Sequence, residues 1–400
     1  MSLLSLKGNI LLIGTGTKLL FLHMNHETKS VDLHRLHDVN KDAPLIPAKP
    51  IKLAVDEEDA KTEGTEMENG GSEPTLEFRI GMILASRNSK FLAVAMTDKT
   101  LYLYDVLPDA INLRSRRKIA RNASAMSFFP DSSSLLVADK TGDVFVFDCI
   151  DAESPGKWIQ GHISQVLDIQ MNKEMDFFVT SDRDEKIKVV KWPEHCEIEA
   201  FCLGHKEFVS SIEFFELGEK EWLVSGSGDA SLRIWDYTKG ECAHEIKTKS
   251  PVGKLFVVPG DYSERVLIAA LLRRPDQIEF IEVTRDAEGK WGHTTMHVME
   301  CVADHFLVSV TFDSDGQHFT ILFKTKDEKL HLKQIIVTTF KEVKLETVEQ
   351  LLQTDFKDFR IHYEDALESF YKKAVASVDQ YVEKKRKRIE EENAKKEKRT

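Results

Sequence analysis

The sequence predicts an all-β fold, a seven-bladed β-propeller followed by a C-terminal amphipathic helix. Three observations support this prediction. Alternating strand patterns recur at a nearly constant spacing in the middle of the chain, and similar strands occupy the sequence on both sides. The pattern changes to a helical period only after residue 344. We therefore divide the chain into a propeller domain, residues 1–343, and a helix with a basic tail, residues 344–400.

The repeat is most regular between residues 94 and 236. Four segments align in register: VAMTDKTLYLYD (94–105), VADKTGDVFVFD (137–148), TSDRDEKIKVVK (180–191) and GSGDASLRIWD (226–236). Their last residues are spaced by 43, 43 and 45 positions. Each segment begins with a polar turn that contains Asp and continues as an alternating strand. A period of this length is typical of one four-stranded blade of a propeller.

A Gly-His pair precedes the third and the fourth segments, and the fourth ends in Trp-Asp. This combination resembles the WD repeat, in which His, a turn Asp, a hydroxyl and the Trp indole form a buried hydrogen-bonded chain. Such a chain is stable only if every member is satisfied. The residues that fit all four places in the fourth segment are His205, Asp229, Ser225 and Trp235.

The third segment fits the same scheme incompletely. We expect His162 to pair with Asp184, and Thr180 or Ser181 to supply the hydroxyl, while Val190 replaces the Trp. The first two segments have Tyr104 and Phe147 at the Trp position and lack the Gly-His pair. The third segment is thus predicted to be a blade that keeps the buried histidine pair.

Extrapolation of the period gives three further blades. One lies at the N-terminus, one at about residues 251–283 and one at about 298–340, which makes seven in all. We expect the N-terminal strand to close the ring by pairing with the last blade, which would leave no exposed sheet edge. Between the first and second blades, residues 56–73 contain eight acidic residues and one lysine. They predict a disordered acidic loop over about residues 40–75.

An apolar stripe predicts the C-terminal helix. Its residues are spaced by three or four positions: Phe356, Phe359, Tyr363, Leu367, Phe370, Ala374, Val378 and Tyr381. A basic run follows it, and residues 384–399 contain nine Lys or Arg against four acidic residues. The formal net charge of the chain is −12, so a basic tail ends an acidic protein.

Composition and motifs argue against several functional classes. No run approaches the roughly 18 to 20 apolar residues of a membrane helix, and we interpret the apolar N-terminus as strands. The five cysteines form no CxxC pair and suggest reduced thiols inside a cell. Gly14-Thr15-Gly16 lacks the remaining residues of a phosphate-binding loop. His23/His26 and His34/His37 have a spacing that can bind zinc, but neither has a cysteine nearby. His195-Cys196 are adjacent, which rarely gives a productive pair. We therefore predict no catalytic, cofactor or metal residues.

The third segment carries surplus charge in its turn. Lys140 and the turn Arg183, Asp184, Glu185 and Lys186 should lie on adjacent blades and on the same propeller face. For Asp184 we weigh a bond to His162 against contact with a partner. For Arg183, Glu185 and Lys186 the alternatives are a solvated turn and a docking surface.

Longer blocks resemble one WD-repeat family, the non-catalytic subunit of the tRNA (guanine-N7-)-methyltransferase. They are VADKTGDVFVFD, TSDRDEKIKVVKW, IEAFCLGHKEFVSSIEF, GSGDASLRIWDY and LESFYKKAVASVDQYVEKKRKR. The resemblance implies a heterodimer in which a catalytic subunit carries S-adenosylmethionine and this chain holds that subunit active. It places partner contacts at Lys140 and at Arg183, Asp184, Glu185, Lys186 and Lys188. It places tRNA contacts at Lys384, Lys385, Arg386, Lys387 and Arg388. A basic cluster of this kind also serves as a nuclear import signal, so we expect a location in the nucleus, with the cytoplasm as an alternative.

A substrate receptor of a ubiquitin ligase is the alternative, because many WD propellers serve that role. Many such receptors have Arg two residues after Trp-Asp, whereas Tyr237 and Thr238 follow Trp235-Asp236 here. The methyltransferase subunit is therefore the favoured interpretation. The sequence leaves open which tRNAs are modified, whether other partners bind and what the acidic loop does.

Overall fold

A computed structural model of the chain has seven four-stranded sheets. It describes residues 2–6, 10–25, 30–42, 79–107, 110–260, 264–301, 305–313, 316–326, 330–343 and 366–371. In every sheet the four strands are consecutive in the chain and antiparallel to their neighbours. The chain forms two compact units, Met1–Glu364 and Asp365–Thr400.

The first four sheets contain sixteen strands. Sheet 1 has β1 (Ser2–Leu6), β2 (Ile10–Thr15), β3 (Lys18–Asn25) and β4 (Ser30–Asp38). Sheet 2 has β5 (Ile80–Ala85), β6 (Phe91–Met96), β7 (Thr100–Val106) and β8 (Ile111–Lys118). Sheet 3 has β9 (Ala123–Phe128), β10 (Ser134–Asp139), β11 (Asp143–Asp148) and β12 (Lys157–Gly161). Sheet 4 has β13 (Val166–Met171), β14 (Phe177–Asp182), β15 (Ile187–Lys191) and β16 (Ile198–Cys202).

The other three sheets contain twelve strands. Sheet 5 has β17 (Val209–Leu217), β18 (Lys220–Ser227), β19 (Ser231–Asp236) and β20 (Glu241–Lys247). Sheet 6 has β21 (Val252–Val257), β22 (Arg265–Leu272), β23 (Gln277–Arg285) and β24 (Trp291–Glu300). Sheet 7 has β25 (His305–Phe312), β26 (His318–Thr325), β27 (Leu330–Ile336) and β28 (Lys341–Val343). A 3₁₀ turn, Val39–Asp42, follows β4.

The core lies between neighbouring sheets, because the middle strands are apolar on both faces. β6 and β19 are buried along their whole length. Tyr104 of sheet 2 packs in one cluster with Leu12 and Leu19 of sheet 1, and Trp235 of sheet 5 packs in another with Val179 and Val189 of sheet 4. Each fully buried apolar side chain contributes about 1.5 to 3 kcal/mol to folding. The seven-bladed propeller predicted from the repeat is thus present.

The ring closes differently from our prediction. The first strands of sheets 1 to 6 contact their neighbours in order, and β1 also contacts β25 of sheet 7. However, β1 pairs with β2 in its own sheet, and sheet 7 is completed by β28. The prediction that the N-terminal strand joins the last blade is therefore wrong. Sheet 7 has enough chain of its own to supply a fourth strand, so the N-terminal strand is available to start sheet 1.

One edge of the ring carries the turns that join second to third strands, together with the linkers between sheets. We call this edge the turn face. Its turns and linkers are hydrogen-bonded to one another, since Lys140 N donates to Asn122 O at 3.1 Å and Arg183 N donates to Gln165 O at 3.0 Å. Lys140 and the turn 183–186 occupy equivalent places in neighbouring sheets 3 and 4, so both lie on the turn face.

In the second unit the structure describes one short helix, α1 (Ala366–Phe370). It falls within the predicted apolar stripe, but the other stripe residues and the basic tail lie outside the described residues, as does the acidic loop at 56–73. Among the residues described, no helix has the length and apolar character needed to cross a membrane.

Candidate partner-binding site

Sheet 5 contains a complete buried hydrogen-bonded chain. His205 Nδ1 lies 3.1 Å from Asp229 Oδ2, and His205 Nε2 lies 2.7 Å from Ser225 Oγ. Trp235 Nε1 donates to the same Ser225 Oγ at 2.8 Å. Burial lowers the pKa of His205 more strongly than Asp229 raises it. Burial acts to raise the pKa of Asp229, but the bonds from His205, Ser231 and Lys206 N hold that pKa below its usual value.

Sheet 4 contains the corresponding histidine but a different carboxylate. His162 Nε2 lies 2.8 Å from Thr180 Oγ1, and His162 Nδ1 lies 3.4 Å from Asp182 Oδ2. The predicted pair of His162 with Asp184 is therefore wrong. Counting back from the strand end puts Asp184 opposite Asp229, but Asp182 stands where sheet 5 has Ser227, at the end of a buried strand. Its longer side chain reaches the histidine first.

Asp182 also shapes the charged turn. Its Oδ1 accepts hydrogen bonds from Asp184 N at 2.9 Å and from Lys186 N at 3.0 Å. Burial acts to raise the pKa of Asp182, but the bonds from His162 and Lys186 N–H hold it below its usual value. An ionised carboxylate that accepts backbone N–H bonds in this way fixes the turn. The backbone of the turn is thereby held in one conformation by a buried side chain that lies next to it in the sequence.

The turn face presents three exposed cations. Lys140, Arg183 and Lys186 are exposed, and in the described part of the chain their side chains form no hydrogen bond or ion pair. Asp184 and Glu185 are partly exposed in the same turn. Lys140 is held in a turn of the same kind, because Asp139 Oδ1 accepts from Thr141 N at 2.8 Å. Two neighbouring turns thus hold cations toward solvent.

Lys188 lies elsewhere. Its side chain is buried, with 8% exposure, and its Nζ donates to Gly161 O at 3.0 Å. Burial lowers the pKa of Lys188, and Asp182 opposes that effect. A direct contact of Lys188 with a partner, which the resemblance implied, does not fit this burial. The side chain instead ties β15 to the end of β12, directly behind the charged turn.

Two exposed apolar side chains on the turn face were missed by sequence reasoning. Ile163 lies in the linker between β12 and β13 and is fully exposed, and Leu203 lies in the next linker with 60% exposure. The signal was available for Ile163, because the repeat aligns it with Lys206 in the following linker. An apolar residue at a linker position where the next repeat has a lysine indicates an exposed apolar side chain.

A separate charged group lies on three neighbouring innermost strands. Lys254 Nζ of β21 lies 3.0 Å from Asp168 Oδ2 of β13, which also accepts from Ser211 Oγ at 3.0 Å. Glu213 of β17 is half-buried beside them. Burial raises its pKa to about 7, and Asp168 adds to this effect while Lys254 and Arg87 oppose it. The innermost strands thus carry a carboxyl group, that of Glu213, whose protonation changes near neutral pH.

The residues considered for chemistry have structural places. Gly14 lies within β2, and Gly16, with a φ of 56°, begins the turn to β3. His37 Nε2 lies 2.6 Å from Asp42 Oδ2. Within the described ranges no three His, Cys, Asp or Glu residues are grouped to hold a metal ion. His195 Nδ1 lies 3.8 Å from Cys196 Sγ in an exposed turn.

The expected tRNA contacts remain a prediction from the sequence. Lys384, Lys385, Arg386, Lys387 and Arg388 lie outside the described residues.

A search of solved structures matches the propeller at the level of fold. A chain of the mitotic checkpoint complex superimposes with a TM-score of 0.60 and covers 82% of this chain and 85% of its own length. Its sequence is 14% identical, so the similarity concerns the fold alone.

Sequence relatives extend over most of the chain. The protein named tRNA (guanine-N(7)-)-methyltransferase non-catalytic subunit wuho from Aedes aegypti is 31% identical, with 98% of each chain covered. Its namesake from Drosophila melanogaster is 32% identical over 78% of this chain and 74% of its own length. The family described as tRNA methyltransferase TRM82 WD40 domain matches residues 23–160 and 150–399. With the propeller and the Asp-His-Ser-Trp network of sheet 5, these matches show that the chain belongs to this TRM82 WD40 family.

Proposed function

We propose that this chain is the non-catalytic scaffold of a heterodimeric tRNA (guanine-N7-)-methyltransferase. It binds and stabilises a catalytic subunit and helps to position tRNA for the formation of N7-methylguanosine in the variable loop. The single observation that carries the proposal is the presence of three exposed cations on one face of a propeller of this family, Lys140, Arg183 and Lys186, whose side chains have no hydrogen-bonded or ion-pair partner among the described residues. Their turns are fixed by buried carboxylates, so they are presented in a defined geometry before any partner binds.

The docking surface in this proposal consists of Lys140 and the turn Arg183, Asp184, Glu185 and Lys186. Charges of both signs in one rigid turn specify the orientation of a partner more than they add affinity. Lys188 supports this surface from within the fold, because its side chain is buried and its ammonium group donates to Gly161 O. The carboxylate of Asp182 has the same supporting role.

The proposal divides labour between the two subunits. S-adenosylmethionine binds the catalytic partner, and this chain carries no cofactor. Lys384, Lys385, Arg386, Lys387 and Arg388 contact tRNA phosphates, with an affinity that depends on salt and little on sequence. A basic cluster of this type also serves as a nuclear import signal, which supports a location in the nucleus.

The ubiquitin-ligase alternative lacks the arginine expected just after β19. The residue after Trp235-Asp236 is Tyr237, which is buried and donates its hydroxyl to Glu221 at 2.8 Å. The following position is Thr238 in place of the expected Arg. We therefore do not favour that function.

Co-expression tests the proposal. The chain is expressed with a catalytic tRNA (guanine-N7-)-methyltransferase subunit from the same source, and the complex is purified through a tag on either subunit. We expect a one-to-one complex that transfers the methyl group of S-adenosylmethionine to guanine N7 of tRNA. A chain that fails to co-purify, or that methylates tRNA without the second subunit, would contradict the proposal.

A further inference from the structure

Ile163 has an exposure that is unusual for its residue type. Its relative exposure is 103%, whereas the next residue, Ser164, is buried with 6% exposure. Single exposed apolar residues are common on protein surfaces and need no explanation by themselves. Ile163 is significant because of its position relative to Lys140, Arg183 and Lys186, whose side chains form no hydrogen bond or ion pair among the described residues.

The linker that carries Ile163 runs between the two charged turns of the turn face. His162 N donates to Gly142 O at 2.9 Å, which joins the linker to the turn of Lys140. At its other end, Gln165 O accepts from Arg183 N at 3.0 Å, which joins it to the turn of sheet 4. Ile163 therefore projects from the segment that lies between Lys140 on one side and Arg183 on the other.

This linker is packed closely against its neighbour. Gly142 has a φ of 101°, and a Cβ atom added there would lie 2.5 Å from His162 O and 2.7 Å from Ser164 O. No side chain larger than hydrogen fits between the turn and the linker. The backbone on both sides of Ile163 is thus held in place, so little backbone entropy remains to be lost when the side chain becomes buried in an interface.

Leu203 flanks the charged turn from the other side. Cys202 pairs with Ile187 in the ladder between β15 and β16, so Leu203 continues the outer strand beside Lys186. Two exposed apolar side chains therefore border the turn 183–186, one from the inner linker and one from the outer strand. Apolar contacts bordered by charges are the arrangement found at energetic centres of protein interfaces.

We propose that Ile163 and Leu203 are the apolar anchors of the docking surface, and that the catalytic subunit meets them with apolar pockets bordered by acidic groups. The acidic border follows from the charge of Lys140, Arg183 and Lys186, which have no counter-charge at hydrogen-bonding distance in the described part of this chain. This inference rests on the proposed function. It adds that most of the affinity comes from apolar burial, while the cations set orientation and specificity.

Substitutions at the anchors test the inference in the intact heterodimer. Binding of Ile163→Asp, Leu203→Asp and Ile163→Val to the purified catalytic subunit is measured by titration calorimetry at low and high salt. Burial of one Ile or Leu is worth about 1.5 to 3 kcal/mol, so each Asp variant should weaken binding roughly 10- to 150-fold. Ile163→Val should bind nearly as the unmodified chain does. The loss in the Asp variants should persist at high salt, because it does not depend on screened charges.

A matched control separates this effect from general damage to the surface. Ile150 is also exposed, at 66%, and lies in the loop after β11 at the opposite edge of sheet 3. Ile150→Asp should leave both the thermal melt and the affinity unchanged. Thermal melts of the anchor variants should match that of the unmodified chain, and a melt that falls together with the affinity would overturn the assignment of Ile163 and Leu203 as contact residues.

The outcomes distinguish the inference from the proposed function. If the anchor variants bind as tightly as the unmodified chain while Arg183→Glu with Lys186→Glu does not bind, the anchors are wrong and the scaffold function stands. If the unmodified chain itself does not bind the catalytic subunit, the proposed function fails.

Discussion

Trp235 donates its indole N–H to Ser225 Oγ at 2.8 Å, and the same oxygen lies 2.7 Å from His205 Nε2. In the preceding sheet Val190 occupies the Trp position, and Thr180 contacts His162 without an indole donor. The two neighbouring sheets therefore carry the same histidine in two different hydrogen-bonded chains. This difference allows the contribution of individual members to be measured.

The indole bond of Trp235 should contribute measurably to stability. Trp235→Phe removes the donor to Ser225 and leaves a small cavity in a fully buried site. We expect a loss of about 2 to 3 kcal/mol in the free energy of unfolding, measured by urea denaturation. Trp158 is the matched control, because it is 48% exposed and its Nε1 donates to Asp143 at 2.9 Å. Trp158→Phe should cost about 0.5 kcal/mol or less, and an equal cost at both positions would contradict this account.

Asp182 and Asp184 should differ in their effect on stability. Asp182→Asn removes the charge that binds His162 and the turn, and it should lower the free energy of unfolding by about 1 to 3 kcal/mol. Asp184→Asn changes a partly exposed side chain and should stay within about 0.5 kcal/mol of the unmodified chain. Urea denaturation of both variants measures the difference. A larger loss of stability in Asp184→Asn than in Asp182→Asn would contradict the pairing of His162 with Asp182.

Charge reversal on the turn face should separate docking from folding. Arg183→Glu with Lys186→Glu should leave the thermal melt unchanged, because neither side chain has a hydrogen-bonded partner in the described structure. It should abolish co-purification with the catalytic subunit. Lys90→Glu with Lys290→Glu reverses two exposed cations at the opposite edge and should leave co-purification intact. A lower melting temperature in the Arg183→Glu, Lys186→Glu variant would instead show that these side chains stabilise the fold.

Glu213 should make stability depend on pH. Its folded pKa of about 7 lies above its usual value, so between about pH 4.5 and 7 the folded state binds more protons than the unfolded state. The stability that the protonated Glu213 side chain provides is fully present below pH 4.5. It is lost as the pH rises through 7, because the carboxyl group then ionises in the folded state. The Glu213→Gln variant has no carboxyl group to titrate at this position. Its free energy of unfolding should therefore rise relative to that of the unmodified chain as the pH increases. Urea midpoints measured from pH 4.5 to 8 for both chains test this, and parallel curves would contradict it.

Removal of the basic tail should affect tRNA and spare the heterodimer. Deletion of residues 384–400 removes the five predicted phosphate contacts at Lys384, Lys385, Arg386, Lys387 and Arg388. The affinity of the complex for tRNA should fall, and the slope of log affinity against log salt should decrease by roughly 0.7 to 0.9 per lost contact. Filter binding across a salt series measures both. An unchanged slope would exclude the tail from the interface.

The repeat predicted the fold because strand alternation and a constant period are local signals. It failed where side-chain length and register decide the outcome. Asp184 was favoured by counting residues, whereas Asp182 reaches His162 from the end of β14. Lys188 was interpreted as a surface charge, although the repeat aligns it with Arg233, which is also buried, at 9% exposure. Ring closure depends on contacts between residues at opposite ends of the chain, for which the sequence has no local pattern.

The junction between sheets 1 and 7 has a distinct mechanical character. Each sheet is a complete hydrogen-bonded ladder of consecutive strands. A linker in the chain joins each sheet to the next, from sheet 1 through to sheet 7. At this one junction β1 and β25 touch without a shared ladder in the described strands and without a direct covalent connection. In topology the ring is thus a linear array of sheets bent until its two ends meet, and fraying of such an array starts at its terminal units. Hydrogen exchange should therefore be fastest, among the ladders, in sheets 1 and 7, and a partner clamped across sheets 3 and 4 would leave that seam free to open.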